Sequence, residues 1–66
     1  MRAAAKRMIR DASKYLVNSG DNIQVSAQNY GYSAGQLLPF IVGLLPAGWM
    51  AESIGFMGYI RFERLK

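Results

Sequence analysis

The sequence predicts an all-α membrane protein: a basic amphipathic N-terminal helix, a turn near 18–22, then one kinked transmembrane helix with a short basic tail. Three observations lead there. Residues 37–60, LLPFIVGLLPAGWMAESIGFMGYI, carry one charge, Glu52, and at the helical rise this run reaches about 36 Å, enough for the ~30 Å hydrocarbon layer of a bilayer. No charge lies between Asn22 and Ala51, while cations gather at both ends, where Lys and Arg reach head-group phosphates from either side. A chain of 66 residues with no Cys also has little means of stabilising a water-exposed core of its own.

Composition narrows the chemistry. Without Cys or His there is no disulfide, thiolate metal site or imidazole base. Asp11, Asp21, Glu52 and Glu63 are spread over different segments, and no Gly-rich phosphate loop stands beside a Lys. The expectation is a non-catalytic chain with no metal and no cofactor, bound phospholipid being the one small molecule admitted.

Residues 1–17 read as the basic amphipathic helix. Ala5, Met8, Ile9, Ala12, Tyr15 and Leu16 recur at three- and four-residue steps, and Arg2, Lys6, Arg10 and Lys14 lie four apart on another face. Such a face suits anionic lipid, an uncleaved mitochondrial address or a nucleic-acid-binding arm, with a plain solvated face as the bland reading. Lipid and the solvated face stand about level, and nucleic acid ranks last. Residues 18–22, Asn-Ser-Gly-Asp-Asn, form the turn.

Residues 23–36 are expected as a polar lead-in helix, with Asp21 and Gln24 fitting a capping box. Ile23, Val25 and Ala27 also alternate as a strand would, but Ile23, Ala27, Tyr30, Ala34, Leu37 and Ile41 keep helical steps over a longer stretch. Pro39 and Pro46 then kink the span of residues 37–60, or divide it into two short helices.

Helix packing would use small residues: Ala27, Gly31 and Gly35 form one ladder, Ala47, Ala51 and Gly55 a second, with Gly48 and Gly58 on adjoining rows. Lipid-interface anchors would be Arg2, Lys6, Arg7, Arg10 and Lys14 on one side, and Trp49, Tyr59, Arg61, Arg64 and Lys66 on the other. Residues 61–66 are the basic tail. Glu52 costs about +2.5 to +3.5 kcal/mol in mid-span, nearly cancelling the roughly −2 to −4 kcal/mol of the Leu37–Leu45 block. It therefore needs an interface, a proton or an intramembrane ion pair with a partner's cation, and the ion pair is preferred over a proton-carrying role.

Tyr32-Ser33-Ala34-Gly35 resembles the Tyr-Thr-x-Gly opening of the span in the smallest subunit of ubiquinol:cytochrome c oxidoreductase, and Arg61-Phe62-Glu63-Arg64 its basic tail. Gly55-Phe56-Met57-Gly58-Tyr59-Ile60 is similar to a run in a small proteolipid of mitochondrial ATP synthase. Pro39, Pro46 and Glu52 depart from both patterns. The resemblance implies a single-pass accessory subunit of the mitochondrial inner membrane, stabilising a respiratory-chain (electron-transport) or ATP synthase complex through helix packing and lipid anchoring. Its partners would be other membrane subunits and anionic lipid. The rival readings are a virion coat or pilus protein, a permeabilising cationic peptide, each compatible with a bacterial inner membrane, and a helical hairpin in water.

Overall fold

Small apolar side chains let the first helix lie close to everything else. In the computed structural model, which describes residues 1–19, 21–55 and 58–65, α1 spans Arg2–Ser19. Ala4, Ala5, Met8, Ala12 and Leu16 bury one face of it at the spacing of an amphipathic helix. The remaining elements are β1 (Asn22–Ser26), a 3₁₀ turn η1 (Ala27–Tyr30), α2 (Ala34–Leu44), β2 (Trp49–Ile54) and β3 (Tyr59–Arg64).

The strands form one antiparallel sheet in the order β1-β3-β2. Ile23 pairs with Phe62 and Val25 with Ile60 on one side of β3, and Ala51 pairs with Phe62 on the other. Because side chains alternate across a pleated sheet, Ile23, Val25, Ala51, Ile60 and Phe62 share the face against the helices. Ile60 and Phe62 are fully buried there with Met8, Leu16, Leu37 and Ile41. Gln24, Arg61 and Glu52 cross the opposite face in register, which no helix covers.

The all-α expectation is overturned: the chain is a mixed α/β domain. In residues 23–36, β1, η1 and a turn replace the lead-in helix, because Ile23 and Val25 find β3 as a partner and the two-residue period prevails. Gly31, in the left-handed region at φ 86°, ends η1. Ser33 then starts α2 with a capping box, its Oγ accepting from Gln36 N at 3.2 Å while Gln36 Oε1 accepts from Ser33 N at 3.0 Å.

The transmembrane helix expected over residues 37–60 is corrected in the same way. Pro39 is tolerated on the exposed side of α2, but Pro46 pushes Leu45 into extended backbone (φ −63°, ψ 138°). The helix stops at Leu44, about 16 Å long, and the chain returns as the β2–β3 hairpin. Among the described residues no helix is long and apolar enough to cross a membrane. A single-pass transmembrane protein embedded in a mitochondrial or bacterial inner membrane does not fit this fold.

Candidate polyanion-binding face

The apolar stripe of α1 turns inward, so its cations must turn outward. Arg2, Lys6, Arg7, Arg10 and Lys14 are all exposed; Ala3 is exposed among them, and half-buried Ile9 lines a cleft with Lys6, Arg10, Lys14 and Leu44. Arg2 to Lys14 covers about 18 Å of helix axis. The acid nearest this face is Asp11, and it is engaged: Tyr30 Oη donates to Asp11 Oδ2 at 2.6 Å, and Arg10 Nε lies 3.7 Å from Oδ1. The Tyr30 hydroxyl, then Arg10 and Lys14, hold the Asp11 carboxyl below its ordinary range despite some burial that opposes them. Burial, and then the bond to Asp11, push the Tyr30 hydroxyl up to about 12.

Beside this face, α1, β1 and η1 enclose a cleft of about 330 Å³ whose lining includes Asp11, Tyr15, Gln24, Asn29, Tyr30 and Tyr59. Tyr15 is 49% exposed. The outward side of α2 differs in kind. Gly35, Gln36, Pro39, Phe40, Val42 and Gly43 are exposed there, and none is charged.

The residues proposed for helix packing do not share a helix. Ala27 is buried in η1, Gly31 follows it, and Gly35 is exposed in α2. Ala47 and Gly48 lie in the α2–β2 connection, Ala51 in β2, and Gly55 and Gly58 flank the hairpin turn. Glu52 pairs with Arg61 on the adjacent strand, so its cation is supplied by its own chain rather than by another subunit. Of the remaining anchors, Trp49 and Tyr59 are half-buried in the sheet and Arg64 is exposed at its end. Lys66 lies outside the described residues.

The structure thus keeps the α1 cations on one helix, while Trp49, Arg61 and Arg64 lie on the sheet. Sequence reasoning missed the Tyr15–Gln24–Asn29 cleft. The trace available for it was Tyr15 at the margin of the apolar stripe, one turn beyond Asp11.

No known family, curated protein or solved structure matches the chain. Nothing in these comparisons ties it to the respiratory chain. Among the described residues no group of His, Cys, Asp and Glu could hold a metal ion.

Proposed function

We propose that this protein is a non-catalytic nucleic-acid-binding module whose α1 face holds phosphates. The observation that carries the reading is the set of five outward cations on α1 against one acid, Asp11, on the same helix. Such a face binds through phosphate neutralisation and counterion release. An overall charge of +4 supports the same sign of partner.

Nucleic acid ranks last among the sequence readings of α1, behind lipid and a plain solvated face; what favours it now is that no described helix is long and apolar enough to cross a membrane. Docking on an anionic bilayer surface draws on apolar side chains entering it beside the cations; Ile9 and Leu44 beside Lys6, Arg10 and Lys14 and Phe40 beside Arg2 are the groups it would use, and flotation with anionic vesicles decides between the two surfaces. The membrane anchoring that an accessory subunit would require has no helix to supply it among the described residues.

α2 carries no charged residue, so the affinity is placed on α1. The test is fluorescence anisotropy with labelled oligonucleotides, alongside flotation with anionic vesicles, for the wild type and Lys6→Gln/Arg10→Gln. Gln keeps helix propensity close to that of Lys and Arg. Saturable oligonucleotide binding that the double variant weakens at least tenfold is expected. Vesicle binding without oligonucleotide binding would overturn the reading in favour of lipid.

A further inference from the structure

We infer that the cleft between α1, β1 and η1 is a slot for one unpaired nucleobase, so that the module prefers single strands over duplex. The inference rests on the nucleic-acid reading above and goes beyond it, since cations alone recognise either form.

Three observations converge on the slot. Its volume, about 330 Å³, falls within the range of small-ligand sites, about 300–1,000 Å³. Tyr15 from α1 and Tyr30 from η1 line it, and Tyr15, half exposed, offers a ring on which a base can stack at its mouth. Asn29 is exposed on the same lining, and its side-chain amide makes no hydrogen bond within the described residues.

Topology adds a fourth. β1 is an edge strand, so backbone groups on its outer side have no strand to pair with. Amides, edge backbone and an aromatic ring are the groups that read the hydrogen-bonding edge and the π-face of a splayed base. The charged group on the slot's lining is Asp11, and Arg10 Nε, 3.7 Å from its Oδ1, is the α1 cation next to it. A base inside a duplex is stacked and paired, and it could not enter without being unstacked first.

The test compares a labelled ten-nucleotide dT strand with a ten-base-pair duplex at equal salt, for the wild type, Tyr15→Ala and Tyr15→Phe, with the fold checked by circular dichroism. Charge alone favours the duplex, which has the denser phosphates and the steeper salt dependence. Tighter binding of the single strand by the wild type is expected. Tyr15→Ala should weaken that binding about 5- to 100-fold, the scale of losing one stacking ring, while Tyr15→Phe retains it and duplex affinity stays within about twofold. Duplex binding equal to or tighter than the single strand, with Tyr15→Ala silent, would overturn the slot and leave the α1 reading standing. Loss of all oligonucleotide binding in the wild type would overturn both.

Discussion

Tyr30 donates a hydrogen bond of 2.6 Å to Asp11, tying η1 to α1 across 19 positions of sequence. The contact closes one wall of the cleft and orients Asp11, whose other oxygen faces Arg10. It is a structural tie that also holds Asp11 ionised beside Arg10.

Its contribution to stability should follow pH in a defined window. The Asp11 carboxyl titrates below its ordinary value of 3.8 in the folded state, so its contribution is present above that value and lost as pH falls through the lower folded one. The Tyr30 hydroxyl is raised from 10.0 to about 12, so its contribution is complete below pH 10 and lost between 10 and 12. Tyr30→Phe should destabilise the chain by about 1 kcal/mol, the low end for a bond to a charged group because Asp11 is half exposed. Urea unfolding of both proteins should show a constant difference from pH 5 to 9, narrowing below 4 and above 10. A difference that does not change with pH would contradict this account of the bond.

Two glycines should respond in opposite directions. Gly31 sits at φ 86° with open space where a Cβ would project, so Gly31→Ala meets no clash and costs about 1–2 kcal/mol in backbone strain alone. Gly35 lies inside α2 with equally open space, and Gly35→Ala should stabilise by about 0.4–1 kcal/mol. Thermal unfolding of the two variants checks the pair. A destabilised Gly35→Ala would indicate a close helix contact at that position.

The centre of the sheet should be intolerant of truncation. Phe62, on the middle strand, is fully buried, and Phe62→Ala costs about 3–5 kcal/mol. A chain of 66 residues has about 3–10 kcal/mol of stability in total. The variant is therefore expected to show a broad, low-temperature melt or none, whereas Val42→Ala, 58% exposed in the wild type, should melt within a few degrees of wild type.

Legibility differed along the chain. The first helix was readable because Met8, Ala12 and Leu16 repeat at helical steps over a long stretch with cations on the opposite side, and a local pattern of that kind needs no distant partner. The second half misleads because Leu37–Leu44 is helical and the apolar residues after it continue the same composition. A kink at Pro46 and a second short helix after it are the two readings the sequence offers, whereas the extended backbone at Leu45 ends the helix and the chain goes on as strands. The strands depend on contacts far apart in sequence, such as Val25 with Ile60, and a short alternation at Ile23 and Val25 could not outweigh a longer helical period. The cleft was invisible for the same reason: Tyr15, Gln24 and Asn29 meet only after β1 has folded back along α1.

The central claim, that the outward charge of α1 binds nucleic-acid phosphates, is tested most directly by the salt dependence of oligonucleotide binding. If all five cations engage a single strand, log K should fall with log salt at a slope of about −3.5, and Lys6→Gln/Arg10→Gln should bring it to about −2. A wild-type slope near zero, or a slope unchanged in the double variant, would contradict the claim.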